Sequence, residues 1–197
     1  MKEGNIIIIG GGASGMMAAG RAAELGSNVT LLETMEQPGK KILISGKSRC
    51  NLTNSRNLDD FIGMYGPNGR FLYSAFHRFF RDDLLDFFAR YGVETKTERG
   101  GRIFPASDNA SDVVQALKRY IADHGVQVCR ARVTGVQIWE GKISKVYTEE
   151  GAFPASAVIL AAGAARLEGE RVPLLLHPLA GKAVIDYVVE NALHFCE

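Results

Sequence analysis

The hydrophobic pattern near the start of the chain alternates between extended and helical segments. Four consecutive isoleucines at residues 6–9 are typical of a strand buried on both faces of a parallel sheet. Residues 16–25 are rich in helix-forming and small side chains, and Gly26 is placed to end a helix there. A second apolar run at 29–32 predicts another buried strand. The pattern therefore predicts a strand–helix–strand unit.

The middle of the chain continues this alternation. Aromatic side chains recur at three- and four-residue spacing over residues 69–91, with a break near Arg81, which predicts two short helices with an aromatic core stripe. Residues 111–124 predict another helix, stopped by Gly125. The predicted extended segments are a strand at 127–133, an antiparallel meander over 136–138, 143–148 and 151–155, and a returning parallel strand at 157–160.

Composition narrows the class of protein. The chain has 197 residues, is 46% hydrophobic and 23% charged, and carries a formal net charge of +1. This balance is typical of a globular domain and gives no strong attraction to nucleic acid or to an anionic membrane. The apolar run near the N terminus is too short for a secretory signal, and the three cysteines are widely spaced without a CxxC pair. We expect a cytoplasmic protein without metal, nucleic-acid or membrane partners, and leave its oligomeric state open.

The turn after the first predicted strand carries candidate chemistry. Gly10, Gly12 and Gly15 form G-x-G-x-x-G between a strand and a helix. In such a turn the first glycine allows the sharp bend, the second lets the backbone approach a pyrophosphate, and the third lets helix and strand pack closely. The helix start, at Ala13 and Ser14, offers free N–H groups to the phosphates. These residues predict a dinucleotide site.

Glu33 stands at the end of the second predicted strand, at the distance expected for a ribose contact. Its carboxylate can accept hydrogen bonds from a ribose diol and repels a 2′-phosphate. FAD or NAD is therefore favoured over NADP at this site. A nearby Gly46-Lys47-Ser48 suggests a P-loop, but that motif needs a glycine at position 41, where the chain has Lys41. The P-loop interpretation is rejected.

Several segments resemble one family together. "GGGASGMMAA", "GKKILISGKSRCNLTN", "GPNGRFLYSAFHRF" and "ETKTERGGRIFPASDNASDVVQAL" are similar to the HI0933/YhiN-type flavoproteins, which are NAD(P)/FAD-dependent oxidoreductases, over residues 1–163. The resemblance implies that the "SGxxRCN" segment wraps the flavin side of FAD and that the backbone at Val133 pairs with the adenine. Some cofactor contacts are implied by the resemblance, and others by the basic turn at Lys41 and the glycine turn that follows the strand at 157–160. Together they are Lys41, Ser45, Gly46, Arg49, Cys50, Asn51, Val133, Ala162 and Gly163.

Two of these contacts have plainer alternatives. Lys41, like the other lysines of this basic turn, is also explained as a solvent-exposed residue that binds no ligand. Cys50 has no nearby cysteine partner, so we expect a packed thiol beside the cofactor and not a redox disulfide.

The last segment of the chain changes character after "VILAAG". Residues 157–193 resemble the N-terminal signature of N-acetylglucosamine-1-phosphate uridyltransferase. However, Leu174 replaces the lysine of that signature, and Arg166 does not align with the basic residue of its glycine-rich loop. Without those cations a transferring phosphoryl group would lack charge neutralisation. We expect residues 164–197 to form an atypical tail of loop plus helix, with the helix at 184–192.

Taken together, the residues and the resemblance predict an α/β fold. It is a Rossmann-type FAD/NAD(P)-binding domain at 1–163 with a parallel sheet, helices on both faces and a small antiparallel β-meander, and it is incomplete relative to the family. The expected function is FAD-dependent oxidoreduction of a small-molecule substrate, with NAD(P)H as a candidate electron donor, in a chain cut short of its substrate domain. The alternative is a non-catalytic nucleotide-binding remnant or fusion product. No catalytic acid or base is identified.

Overall fold

A computed structural model of the protein describes residues 5–161 and two short strands near the C terminus. The chain folds into two compact units. Unit 1 combines residues 1–37 with 125–197, and unit 2 comprises residues 38–124. The predicted domain boundary at residue 163 and the predicted helix at 184–192 lie outside the described residues.

Unit 1 is built on a four-stranded parallel sheet. Its strand order is β10-β1-β2-β6. The central strand β1 therefore pairs with β2, the next strand in sequence, and with β10, the last strand of this sheet in sequence. The register sets Ile8 of β1 beside Leu31 of β2 and Ile159 of β10. The predicted parallel sheet is confirmed. Its strands are β1 (Asn5–Ile9), β2 (Asn28–Glu33), β6 (Gln127–Arg130) and β10 (Ala157–Leu160).

Helices were predicted on both faces of this sheet, but among the described residues of unit 1 a helix covers one face and the meander covers the other. Ile7 and Ile9 belong to a buried cluster with Val146 and Ala155, which come from the meander and the segment after it. Because successive side chains of a strand alternate between faces, Ile8 points to the opposite side. The helix α1 (Ala13–Glu24) packs on β1 and β2. A run of isoleucines is thus buried from both sides, as its continuous hydrophobicity predicts.

The meander of unit 1 is a three-stranded antiparallel sheet in the order β7-β8-β9. The β7–β8 turn holds Glu140 and Gly141 at positive φ, +50° and +76°, which is the geometry of a tight hairpin turn. The meander was predicted, but its first strand starts three residues earlier, at Val133. Its strands are β7 (Val133–Trp139), β8 (Lys142–Thr148) and β9 (Gly151–Pro154).

Unit 2 joins a second small sheet to seven helical segments. Its antiparallel sheet has the order β3-β5-β4 and was not predicted, because two of the strands are only two and three residues long. The segments are α2 (Lys40–Ile44), β3 (Thr53–Asn54), α3 (Leu58–Gly63), a 3-10 helix (Gly66–Leu72), α4 (Tyr73–Arg78), α5 (Arg81–Arg90), β4 (Thr95–Thr97), a 3-10 turn (Arg99–Gly101), β5 (Arg102–Pro105) and α6 (Ala110–Asp123).

The aromatic stripe predicted over residues 69–91 forms two ring clusters in unit 2. One brings Phe61, Phe76 and Phe80 together with ring centroids 5.3–5.5 Å apart. The other sets Phe87 4.9 Å from Tyr120 of α6, edge to face. Such pairs stabilise a core beyond the area that they bury. The two short helices with a break near Arg81 are confirmed.

Near the C terminus the structure describes two strands, β11 (Pro178–Leu179) and β12 (Lys182–Ala183), which pair antiparallel.

Candidate functional site

The turn after β1 satisfies the conformational demands that the glycine fingerprint predicts. Gly10 has φ +102°, in the left-handed region that glycine enters freely, and its N–H donates to the Leu32 carbonyl at 2.8 Å. A Cβ on Gly15 would lie 1.8 Å from the Gly10 carbonyl oxygen. A Cβ on Gly12 would meet no heavy atom within 4 Å. Gly15 therefore allows helix and turn to touch, whereas Gly12 borders open space.

The helix α1 begins at this turn with its N–H groups available. Gly12 is the N-cap, so no side chain covers the first turn, and its carbonyl accepts the Met16 N–H at 3.0 Å. The N–H groups of Ala13, Ser14 and Gly15 have no partner within the helix. The first turn also carries no acidic residue. The start of α1 is therefore a positive, uncovered backbone surface that fits a pyrophosphate.

The turn lies where the strand order of the sheet reverses. The chain leaves β1 toward β2 on one side, whereas β10 pairs with β1 on the other. The Ser14 hydroxyl reaches the Ala161 carbonyl at 3.4 Å, and so ties the helix start to the residue after β10. In open parallel sheets, ligands bind at this switch point, outside the carboxyl ends of the strands.

Glu33 lies beside the same turn. Its Oε2 accepts the Gly11 N–H at 2.6 Å, and its Oε1 accepts the Met35 N–H at 2.9 Å and the Thr34 hydroxyl at 3.1 Å. The carboxylate thus orients the glycine turn from the end of β2. The predicted contact between Glu33 and a ribose stays a prediction.

A polar groove continues from the end of β2. It has a volume of about 380 Å³ and lies next to β6 and the β8–β9 turn. Val133, predicted to meet an adenine, starts β7 immediately after the groove-lining residues and packs half-buried against the Ile7 cluster. The groove is lined by Thr34, Arg130, Ala131, Arg132, Glu149 and Glu150.

The second group of predicted contacts lies in unit 2, on the loop after α2. Four residues of this loop have positive φ: Gly46, Lys47, Ser48 and Cys50, at +54° to +64°. Three of them carry a Cβ, which is crowded in that region. A Cβ on Gly46 would lie 2.9 Å from the Asn51 nitrogen, so only glycine fits there. This loop stores backbone strain of the kind found at ligand-binding sites.

The side chains of this loop differ in what they contact. Lys41 and Ser45 precede it, Lys41 exposed and Ser45 with its hydroxyl bonded to the Ile42 carbonyl at 2.8 Å. Cys50 is buried, and burial raises the pKa of its thiol above the ordinary value. The side-chain amide of Asn51 forms hydrogen bonds in the orientation in which its nitrogen donates to the carbonyls of Thr53 at 3.1 Å and Ile103 at 3.2 Å.

Arg49 makes the largest set of contacts in the loop. Its Nε donates to Asp108 Oδ1 at 2.8 Å, its Nη2 donates to Glu98, and its guanidinium carbon lies 4.3 Å from the centre of the Phe104 ring. Lys96 Nζ donates to the other Asp108 oxygen at 2.5 Å. Sequence reasoning missed these partners of Arg49, since they lie 49 to 59 residues away along the chain.

The structure thus brings Gly10, Gly12, Ala13, Ser14, Gly15 and Glu33 together in unit 1. It places Ser45, Gly46, Arg49, Cys50 and Asn51 on one loop of unit 2, after α2 with Lys41. Ala162 and Gly163 lie outside the described residues. Whether each of these residues contacts a cofactor stays a prediction.

Two further properties bear on the kind of site. Among the described residues, no three His, Cys, Asp or Glu side chains are grouped so that they could hold a metal ion. Within the same part of the chain, no helix is long and apolar enough to cross a membrane.

The parallel sheet, the glycine turn at its switch point and the acid at the end of β2 define a Rossmann-type dinucleotide-binding fold. Residues 4–169 match the model of the HI0933-like protein Rossmann domain, and the chain belongs to that family. The predicted fold and the predicted family are therefore confirmed. The match supports FAD as the dinucleotide.

Relatives with assigned names differ in what they act on. A 3-dehydro-bile acid delta(4,6)-reductase from Clostridium scindens is 39% identical over 162 residues, which are 79% of this chain and 38% of that protein. A ribosomal RNA dihydrouridine synthase from Escherichia coli is 36% identical over 118 residues, 59% of this chain and 28% of that protein. This chain spans about a third of the length of the curated relatives that it matches.

Solved structures share the fold at low sequence identity. THI4 from Thermovibrio ammonificans has a TM-score of 0.52 at 15% identity and covers 82% of this chain and 58% of its own. L-proline dehydrogenase from P. horikoshii has a TM-score of 0.50 at 16% identity, with coverage of 83% and 54%. The likeness of residues 157–193 to a uridyltransferase finds no support among these comparisons, and most of that segment lies outside the described residues.

Proposed function

We propose that this chain is the FAD-binding part of a flavoprotein oxidoreductase. One observation carries the proposal: the uncovered start of α1 and the open space at Gly12 meet at the switch point of a parallel sheet. A pyrophosphate needs both features, because it carries negative charge and must approach the backbone closely. Membership of the HI0933-like family supports the same cofactor.

Different residues of unit 1 would bind the pyrophosphate, the ribose and the adenine of the cofactor's ADP half. The N–H groups of Ala13, Ser14 and Gly15 would bind the pyrophosphate, and Glu33 would accept a ribose hydroxyl while it holds Gly11 in place. The polar groove next to Val133 would receive the adenine. Bound FAD supplies two-electron transfer between a reduced donor and a substrate. This protein's own groups bind and orient it.

The proposal also includes an electron donor and a substrate for the flavin. We take NADH or NADPH as the electron donor and a small organic molecule as the acceptor. The bile acid reductase supports a small molecule, since its match covers 79% of this chain.

A second candidate substrate is a base in RNA. Two relatives are named ribosomal RNA dihydrouridine synthases, so the expectation that nucleic acid is no partner lacks support. Unit 2 also exposes features that RNA-binding surfaces use. Phe71 is 81% exposed, and Arg70 and Arg78 of the same unit are exposed as well. In RNA-binding proteins, aromatic rings stack on unpaired bases and arginines contact phosphates.

A flavin titration tests the proposal. The purified chain is mixed with excess FAD, passed through a desalting column and examined by visible absorbance and far-UV circular dichroism. The proposal expects flavin absorbance to elute with folded protein in near-equal molar amount. A folded protein that elutes without flavin contradicts it.

The donor and the substrate are tested on the flavin-loaded chain under anaerobic conditions. NADH and NADPH are added separately, and loss of flavin absorbance identifies the donor. Bound flavin that neither donor reduces favours the non-catalytic alternative. A ribosomal RNA fragment and a 3-dehydro-bile acid are then compared as ligands that perturb the flavin spectrum, with the small molecule expected to act and the RNA to have no effect.

A further inference from the structure

The polar groove of unit 1 begins next to the residue predicted to contact the ribose. Thr34 lines the groove directly after Glu33, at the carboxyl end of β2, and Arg130 lines it from the end of β6. In a Rossmann-type fold the pyrophosphate lies at the first glycine turn, and the acid at the end of the second strand meets the ribose. Because the base is joined to the ribose, the order of the groups in ADP leads from α1 past Glu33 into this groove.

The β8–β9 turn forms one wall of the groove and has a fixed shape. Two residues, Glu149 and Glu150, join the strands, and Thr148 pairs with Gly151 across the turn. Thr148 is buried, and its hydroxyl accepts the Glu150 N–H at 3.3 Å and donates to the Gly151 carbonyl at 3.0 Å. The Glu149 N–H donates to the Arg132 carbonyl at 3.1 Å. Both carboxylates of the turn therefore project from a backbone that is held in place.

The charged side chains of the groove differ in whether they have a partner. The Glu149 carboxylate lies 3.5 Å from Arg132 Nε, so these two charges are paired. Arg130 and Glu150 line the same groove and are exposed. Within the part of the chain that the structure describes, neither of their side chains has a hydrogen bond or an ion pair. One hydrogen-bond acceptor and one donor are thus left to face a ligand.

We propose that Glu150 determines the specificity of this groove for adenine, by accepting a hydrogen bond from the 6-amino group of the base. The proposal rests on the FAD site proposed above and extends it from the phosphates to the base. Adenine carries hydrogen at this position, whereas guanine carries an oxygen, which a carboxylate repels. The amino group has two hydrogens, so a backbone contact at Val133 leaves one of them for Glu150.

Arg130 complements the same base in a different way. A guanidinium only donates hydrogen bonds, and the ring nitrogens of adenine accept them. Since every purine has such nitrogens, Arg130 would strengthen the binding of purines in general. Glu149 would have to leave Arg132 to take the role of Glu150, and the groove would then hold an unpaired arginine.

A nuclear magnetic resonance titration of the purified chain tests this role without flavin. ADP is compared with purine riboside 5′-diphosphate, which lacks only the 6-amino group. Shifts of the backbone amide signals give the Kd of each nucleotide and locate where it binds. The variants are Glu150→Ala, Glu150→Gln and Arg130→Gln, with Glu140→Ala as the control. Glu140 is an exposed acid in the β7–β8 turn of the same meander and does not line the groove.

The wild-type chain is expected to bind ADP more tightly than the purine analogue, with shifts at the amides of residues 130–132 and 149–150. Glu150→Ala should lower this preference by about fivefold, the effect of one lost hydrogen bond. Glu150→Gln, whose carbonyl also accepts, should restore part of the preference. Arg130→Gln should weaken both nucleotides and leave the ratio of their Kd values unchanged, and Glu140→Ala should match the wild type.

Equal affinities of the wild-type chain for the two nucleotides would overturn the proposal, and so would a preference that Glu150→Ala retains in full. Amide shifts confined to other parts of the chain would also overturn it. If the chain binds FAD and shows one of these results, only the role of Glu150 is wrong. A chain that prefers ADP through Glu150 but takes up no flavin contradicts only the proposed function.

Discussion

The glycine turn of unit 1 and the Gly46–Cys50 loop of unit 2 reach unusual backbone shapes by opposite means. In the turn, the residue with positive φ is Gly10, and the close approach to it is made by Gly15, so these two features follow from the local sequence. In the loop, Lys47, Ser48 and Cys50 carry side chains in the same region of φ, and contacts with distant residues hold them. The turn should therefore be sensitive to substitution of the glycines that its shape requires, whereas the loop should be sensitive to the loss of its distant contacts.

Substitutions in the turn should give the largest effect. Gly15→Ala is expected to destabilise the chain by about 3 kcal/mol, because its Cβ would meet a backbone oxygen that cannot move aside. Gly12→Ala meets open space and should change the free energy of unfolding by less than about 1 kcal/mol. Urea unfolding followed by circular dichroism measures both. Equal losses of stability in the two variants would refute the difference between the two glycines.

Acid should weaken the supports of the loop. The hydrogen bond from Lys96, and then that from Arg49, holds the pKa of Asp108 below its ordinary value of 3.8. A carboxyl group whose pKa is lower in the folded state stabilises the fold above its unfolded pKa, and this stability is lost as the pH falls through the folded pKa.

Urea midpoints compared at pH 7 and below pH 3.8 should therefore drop further for the wild type than for Asp108→Asn. High salt should shrink the difference, since these groups are partly exposed and screened. Parallel pH profiles of the two proteins would show that Asp108 supports nothing.

The smallest effect should come from removing one strained Cβ. Lys47→Gly relieves its left-handed conformation at φ +56°, and the gain is partly offset by the flexibility of glycine in the unfolded chain. The net result should be a stabilisation of about 0.5 kcal/mol. Lys40→Gly, at the first residue of α2, is the matched change in a helical position and should destabilise by less than about 1 kcal/mol. Thermal unfolding compares the pair, and destabilisation by both would argue against strain at Lys47.

Sequence patterns predicted the parts of the fold that neighbouring residues specify. They missed the parts that depend on contacts between residues far apart along the chain. The isoleucine run, the glycines and Gly141 each specify a strand or a turn through their own neighbours, and the parallel sheet and the meander were found from them. The small sheet of unit 2 escaped because β4 is a three-residue polar segment that becomes a strand only against β5. The partners of Arg49 escaped because no local signal connects position 49 with positions 98 and 108.

The central claim, that the glycine turn of unit 1 holds the pyrophosphate of FAD, is tested most directly by an FAD titration of Gly12→Val. Gly135→Val is the matched control, since it adds the same side chain in unit 1, also into open space, at a strand position suited to a β-branched residue. Both variants should remain folded, although valine is a poorer N-cap residue than glycine at position 12. The claim predicts that Gly12→Val loses FAD binding while Gly135→Val keeps wild-type affinity. Undiminished FAD affinity in a folded Gly12→Val protein would contradict it.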